Sequence, residues 1–527
     1  MFPLEKLWAM REIYSPMNTF ALRLMALAAV VAGLMACSHK DSMGSAIAPA
    51  AQRGDLIAAP AKVASYAPSD LLGLAGDSDL GKTLLQLTVS PVCSITVYHV
   101  QYHTVDPAGQ LTPASGALMV PSGAASCQGG RPILLYAHGT TTDRSYNFAD
   151  LTAADSGEAQ VVAIEFAAQG YIVVAPNYVG YDTSTLGYHP YLNADQQSKD
   201  MIDALTAARV ALPNLGVAAS DGGKLFVSGY SQGGYVAMAT HRAMQTAGMM
   251  VTAAAPMSGP YALSAISDAV FLGQVNLSAA ENTVLLVTSY QHAYRNVYAS
   301  ATDVFETPYA AGIDALLPSD TPVSELISQG KLPNAQFDSV PPDAALASLT
   351  PATTPANLAT VFAQGFGTPF LVSNAYRLNY VQDATANPDG GLAGTDGLPP
   401  GAPGNAFRQD LKLNDLRAWV PTSPVLLCGG SSDPTAFFFN TTLMQNYWTK
   451  NGGASTFSVL DVDSAAVAND PYADEKAGFA SAEALLRVAA IAGGATDGGA
   501  AAVFADYHAG LVPPFCVTAA KSFFDAH

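Results

Sequence analysis

The 527-residue sequence predicts an α/β architecture, a mostly parallel sheet flanked by helices and interrupted by one large helical insertion. Three observations carry this expectation. Short apolar runs alternate with helical patterns between residues 95 and 255, as strands joined by crossover helices do. At one junction, Lys224-Leu225-Phe226-Val227-Ser228-Gly229-Tyr230-Ser231-Gln232-Gly233-Gly234, an apolar run turns into a helical pattern (Tyr235 to Met244) through a glycine-flanked serine. The alternation stops at Gly259-Pro260 and resumes only at Pro424.

The elements read in order as follows. Arg23 precedes an apolar run from Leu24 to Leu34, the length of a signal-peptide core; a bilayer span needs about 20 apolar residues. The run ends in Leu34-Met35-Ala36-Cys37, which resembles the lipobox of bacterial lipoproteins. That resemblance implies a signal peptide over residues 1–36, with Met17 the better start, and lipid attached to Cys37. The protein is then expected to be exported and anchored to the cell envelope. Ser38 after the cysteine resembles lipoproteins of the outer membrane. Residues 37–70 are Ala/Ser/Pro/Gly-rich and read as a flexible tether to a folded part spanning 71–527. No other stretch reaches 18 uninterrupted apolar residues.

Strands are expected at Ile95 to His103, Gly116 to Val120, Pro132 to Tyr136, Tyr171 to Ala175, before Ser231, and at Val251 to Ala255. The continuous apolar run at Pro132 suits a strand buried on both faces. A helix is expected over Ala194 to Leu212. From 260 to 413 come helical segments (Thr283 to Tyr298, Pro355 to Gln364) among Pro/Gly-rich loops. A stretch of roughly 150 residues is too long for a loop and reads as a structured cap. Strands return at Pro424 to Leu427 and Phe457 to Leu460, and a last helix at Val517 to Phe524.

Composition narrows the chemistry. Half the residues are hydrophobic and 12% charged, so a large core is available. The net charge of −19, from 42 acidic and 23 basic residues, excludes a nucleic-acid partner, which needs clustered Lys and Arg. No Cys/His spacing suits zinc, and no metal or organic cofactor is expected. Of five cysteines, Cys37 goes to lipid; Cys93, Cys127, Cys428 and Cys516 in an exported chain read as two disulfides with three possible connectivities.

A serine at a strand-to-helix turn is lifted off the end of the sheet, where its hydroxyl meets a base on one side and a carbonyl on the other. Ser231 is the candidate nucleophile. In this arrangement the partners follow in the order Ser, acid, His. Of nine histidines, His508 and the terminal His527 lie late enough, and His508 sits in a polar turn, Asp506-Tyr507-His508-Ala509-Gly510. The candidate acid is Asp433, which follows Val425-Leu426-Leu427-Cys428 through a flexible Gly429-Gly430-Ser431-Ser432; Asp461 and Asp463 compete. If Asp433 and His508 touch, a Cys428–Cys516 bridge staples their loops and leaves Cys93–Cys127 as the second pair. The developing oxyanion needs backbone donors. Gln232 N–H, next to the nucleophile, is one; Thr140 N–H, in the loop Ala137-His138-Gly139-Thr140-Thr141, is the other, with His138 structural. Phe437-Phe438-Phe439 reads as core packing or as the wall of an apolar acyl pocket.

Taken together, Ala137-His138-Gly139-Thr140, Pro176-Asn177-Tyr178-Val179-Gly180 with His189-Pro190-Tyr191-Leu192, and Gly229 to Gly234 resemble the α/β-hydrolase superfamily. Trp419-Val420-Pro421 through Asp433-Pro434, and Tyr507-His508-Ala509-Gly510 with Pro513-Pro514-Phe515-Cys516, extend the likeness over most of residues 90–527. The resemblance is closer to secretory lipases of the fungal lipase A type and their bacterial relatives. It implies a triad mapping onto Ser231, Asp433 and His508, and a helical cap matching the insertion. Two departures stand out. Fungal lipases carry an acidic side chain in the oxyanion loop where this chain has Gly139-Thr140. The Gly-Tyr-Ser-Gln-Gly turn also matches cutinases, which are compact and uncapped.

The expectation is a serine hydrolase cleaving a small-molecule or lipid ester through an acyl-enzyme. A serine peptidase on the same fold, which would need an acidic cluster for a peptide amine, and an inactive envelope binding protein are the competing readings.

Overall fold

Continuous apolar runs need cover on both faces. In the computed structural model, which describes residues 50–76, 82 and 90–527, they stack into a nine-stranded sheet. The strands are β1 (Ala61–Tyr66), β2 (Ser94–Val105), β3 (Leu111–Ser122), β4 (Gly129–Ala137), β5 (Ile172–Pro176), β6 (Ala219–Tyr230), β7 (Ala253–Met257), β8 (Val425–Gly429) and β9 (Phe457–Asp461). Their spatial order is β1-β2-β3-β5-β4-β6-β7-β8-β9. The β1/β2, β2/β3 and β3/β5 pairs are antiparallel, and the pairs from β5 to β9 are parallel. Ile133 to Ala137 of β4 and Leu225 to Tyr230 of β6 are buried, as the centre of a covered sheet requires.

Register sets where the chemistry can be. Ala137 pairs with Gly229, Tyr230 with Met257, Met257 with Cys428, and Gly429 with Asp461. The loops after β4, β6, β7, β8 and β9 therefore leave the sheet along one edge, the carboxyl ends of parallel strands where α/β proteins bind ligands.

Helices α1 (Pro68–Gly76), α2 (Gly157–Glu165), α3 (Ala194–Ala211) and α4 (Gln232–Thr246) cover the first half of the sheet. Asn193 starts α3 by accepting a hydrogen bond from Gln196 N–H. Between β7 and β8 the insertion carries α5 (Leu263–Phe271), α6 (Ala279–Tyr294), α7 (Asn374–Ala386) and α8 (Ala406–Asn414), with shorter turns and a two-residue ladder joining Phe337–Asp338 to Phe366–Gly367. Buried ion pairs join its parts. Arg408 of α8 reaches Asp268 of α5 at 2.7 Å and Asp383 of α7 at 2.6 Å. Arg417 reaches Asp389 and Asp415 at 2.6 and 2.8 Å. Removing one partner of such a pair strands a charge in the interior, at a cost of about 3–5 kcal/mol. After β8 come α9 (Phe439–Lys450), then α10 (Ala473–Ala492), α11 (Ala500–Asp506) and α12 (Val512–Asp525).

Several expectations need adjusting. The signal peptide, Cys37 and residues 38–49 lie outside the described residues. The end of the expected tether is ordered: Ala61–Tyr66 pairs with β2 as β1, and α1 begins at Pro68. These pairings are made by backbone groups, which leave no mark on side-chain periodicity. The helix expected at Thr283 begins at Ala279 and ends at Tyr294. The one expected from Pro355 starts as a 3₁₀ turn at Ala356 and becomes α-helical only at Ala359. The last helix begins at Val512, because Pro513 and Pro514 fall in its first turn, where a missing N–H costs nothing. By length and composition the helical stretch Ala500–Asp525 would pass for a membrane span, but it is a core element packed on β6, β7 and β8.

Candidate active site

Ser231 occupies the bend between β6 and α4 with φ 59° and ψ −121°, a region that L-residues avoid. The turn closes only because glycine flanks it: a Cβ on Gly233 would lie 1.9 Å from Ala137 O, and one on Gly229 2.3 Å from Gly233 O. Ser231 N–H donates to Met257 O at 3.0 Å, which ties the bend to β7.

His508 comes to this serine from the far end of the chain. It sits in a single π-helical turn, Tyr507–Leu511, joining α11 to α12, rather than in a free loop. The wider turn lets the ring leave the helix axis, and π turns of this kind occur frequently at functional sites. Tyr230 O–H donates to His508 O at 2.6 Å and holds the turn against β6. Nε2 lies 2.7 Å from Ser231 Oγ, and Nδ1 lies 2.7 Å from Asp433 Oδ2. With Nδ1 turned to the Asp433 carboxyl as donor, Nε2 is left to accept from the serine hydroxyl.

Asp433 is 1% exposed, and its other oxygen, Oδ1, accepts from Thr435 N–H and Ala436 N–H at 2.9 Å each. The two competing acids support its loop instead. Asp461 accepts from Ser431 N–H at 2.9 Å. Asp463 accepts from Tyr507 O–H at 2.7 Å, and the same hydroxyl receives Ser432 N–H. The disulfide Cys428–Cys516 joins β8 to α12, and Cys93–Cys127 joins the lead-in of β2 to the turn after β3.

Gln232 begins α4, so its N–H has no partner within the helix. Its side chain donates to His189 Nε2 at 2.7 Å, while His189 Nδ1–H donates to Val179 O. Burial pushes His189 down to about 3, so the ring stays neutral and keeps Nε2 as an acceptor. Thr140 Oγ1 meets Tyr191 O–H at 2.9 Å. His138 is buried and stacked on Tyr178, burial pushes it down to about 4, and its Nδ1–H donates to Gly139 O at 2.7 Å. Its ring faces backbone carbonyls of Gly139 and Asn177 and does not line the cavity.

A cavity of about 470 Å³ lies in front of these groups and is lined by Thr140, Ser231, Gln232 and His508. Leu263, Ile266, Val270 and Phe271 of α5 and Leu286 of α6 supply apolar wall from the insertion. Phe437, Phe438 and Phe439 are not among its lining residues; Phe437 packs on Phe362 at 5.7 Å, so the aromatic run is core packing. Glu158 of α2 does line the cavity, and no sequence pattern pointed to it. A lone acidic residue in a helical first turn reads as an ordinary dipole partner. Among the described residues no group of His, Cys, Asp and Glu is arranged to hold a metal ion.

The sheet order, the serine bend after β6, and the insertion between β7 and β8 define the α/β-hydrolase fold, and the chain has that fold. Comparison with solved structures agrees. The rice cell wall degrading esterase LipA from Xanthomonas oryzae superposes with a TM-score of 0.60 at 26% identity, over 81% of this chain and 94% of the esterase. A single-residue mutant of that esterase gives 0.64 at 24% identity, over 90% and 99%. A putative hydrolase from Legionella pneumophila gives 0.60 at 17% identity, over 89% and 97%. No protein-family model and no curated protein sequence matches the chain.

Proposed function

We propose that this protein is an exported, lipid-anchored serine esterase or lipase, with Ser231 as nucleophile, His508 as base and Asp433 as its orienting acid. One observation carries the reading: two 2.7 Å contacts chain Asp433 to His508 to Ser231 at the edge of a largely apolar cavity. Ser231 attacks the ester carbonyl while His508 takes its proton. Asp433 fixes the tautomer and stabilises the imidazolium that forms. Gln232 N–H and Thr140 N–H donate to the oxyanion. His508 then protonates the leaving alcohol, and water cleaves the acyl-enzyme along the same path in reverse. The solved esterases of the same fold support ester cleavage, and the apolar cavity supports an acyl chain as the bound group. Two disulfides and the Leu34-Met35-Ala36-Cys37 pattern support export and lipid attachment.

The test is hydrolysis of p-nitrophenyl esters from acetyl to palmitoyl by the protein and by Ser231→Ala. The expected outcome is activity that falls by at least about 10³-fold in the variant, with a chain-length optimum that separates esterase from lipase. Equal rates for the two proteins would refute the assignment.

A further inference from the structure

Two carboxylates line the cavity, Glu158 and Glu281, and neither has a part in the chemistry above. Glu158, in the first turn of α2, accepts Gly139 N–H on both oxygens, 3.0 Å to Oε2 and 3.2 Å to Oε1, and Tyr136 O–H on Oε1 at 2.8 Å. Gly139 stands between two peptide planes. The plane before it is held by Glu158 through its N–H. The plane after it is held by His138, whose Nδ1–H donates to Gly139 O. That second plane also contains Thr140 N–H, which in a trans peptide points away from Gly139 C=O. Pinning both planes therefore sets where Thr140 N–H points. Gly139 is also packed against the nucleophile, since a Cβ built on it would lie 3.8 Å from Ser231 Cβ and 3.3 Å from Glu158 Oε2.

We propose that Glu158 is a positioning residue of this site: it holds the turn that aims Thr140 N–H at the oxyanion, and its charge faces the imidazolium that His508 becomes during attack. The inference rests on the ester-hydrolase reading and deepens it. The groups facing the carboxyl are Tyr136 of β4, Tyr146 and Tyr178 from the loops after β4 and β5, Tyr230 at the end of β6, and His508. Burial keeps the four tyrosines neutral, so His508 is the group there that brings a charge. Burial also pushes the Glu158 carboxyl up to about 7, against the Gly139 and Tyr136 hydrogen bonds and His508, which pull it down. Protonation removes an acceptor from the turn and the charge from the imidazolium, so the site loses its setting as pH falls.

The test is kcat and KM for one p-nitrophenyl ester, from about pH 5 to 9, for the protein, Glu158→Gln, Glu158→Leu and Tyr136→Phe. In the parent enzyme log kcat/KM should fall on the acid side with a slope above one, because two groups must lose protons. In Glu158→Gln the slope should return to one, and kcat should fall by about 10-fold with KM within about 3-fold. Glu158→Leu, which also loses the acceptor, should lose on the order of 10²-fold in kcat. Tyr136→Phe should move the steep region to higher pH, since losing that donor favours the neutral carboxyl. If the leucine variant fails to fold, the other two decide the matter. A Glu158→Gln profile that superposes on the parent in slope and kcat overturns this role while leaving the serine esterase intact. An inert parent enzyme overturns both.

Discussion

Ser231 holds a backbone conformation that costs on the order of 1–2 kcal/mol for a residue with a Cβ. Its surroundings enforce it, through Gly229 and Gly233 and the bond to Met257 O. The return is a hydroxyl raised toward Nε2 of His508 with a helix N-terminus beginning at the next residue. Asp433 shows the same economy: a carboxylate with both oxygens occupied by donors has one orientation, and so does the imidazole it holds. Asp433→Asn would present an amide to Nδ1 and favour the wrong tautomer, so we expect kcat to fall by about 10³- to 10⁴-fold with the fold retained. Asp461→Asn, which touches only Ser431 and the loop, should stay within about 10-fold; steady-state kinetics on both variants checks this, and a larger loss from Asp461→Asn would exchange their roles. That Ser231, Asp433 and His508 meet was legible in the sequence, because a turn with two glycines admits few residues and chain order removes the other histidines. Glu158 was not, because it acts through a backbone N–H brought near only by the fold, and His189 stood out only within a motif, without the contact to Gln232 that the fold gives it.

Elements carry these residues to one place. β6 and α4 meet at Ser231, the loop after β8 carries Asp433, and the π turn before α12 carries His508, so the contact between the last two needs a fixed separation of β8 and α12. The Cys428–Cys516 bridge does this directly, with help from Tyr230 O–H on His508 O and Tyr507 O–H on Asp463. Replacing both Cys428 and Cys516 by Ser should cost about 2–4 kcal/mol of stability and lower kcat. Replacing Cys93 and Cys127 should cost similar stability and leave kcat alone, because β2 and β3 lie on the opposite flank of the sheet from β8. Thermal melts with kinetics well below the transition separate the two; an equal effect on kcat would contradict the staple. The buried parallel strands were readable from their continuous apolar runs. β1, at the sheet edge with an alternation too weak to register, and α10, which buries only Phe479, were not.

The whole molecule is acidic, and its buried titrating groups give it an unusual pH response. Burial pushes Glu158 and Asp200 up to about 7 and Glu165 up to about 8. The folded protein keeps these protons where the unfolded chain has released them, so this stability is present in acid and is lost as pH rises through 7 to 8. His138 and His241, pushed down to about 4, and His189, at about 3, act in the opposite sense: their contribution is present above about 6.5 and is lost as pH falls. The lowered Asp150, Asp182 and Asp383 act with the histidines. Above about pH 6.5 only the raised acids remain, reinforced by self-repulsion of a chain with net charge −19. Tm should therefore fall by roughly 3–6 °C between about pH 6.5 and 8.5, and by less in Glu165→Gln. A Tm that rises over this range would show that the interior carboxyls are already ionised.

Ser231 as nucleophile is tested by labelling the folded, oxidised protein with a fluorophosphonate, read by peptide mass spectrometry. One phosphonyl group is expected, on the peptide containing Ser231, absent from Ser231→Ala and strongly slowed in His508→Ala. No label, or a label on another serine, would contradict it.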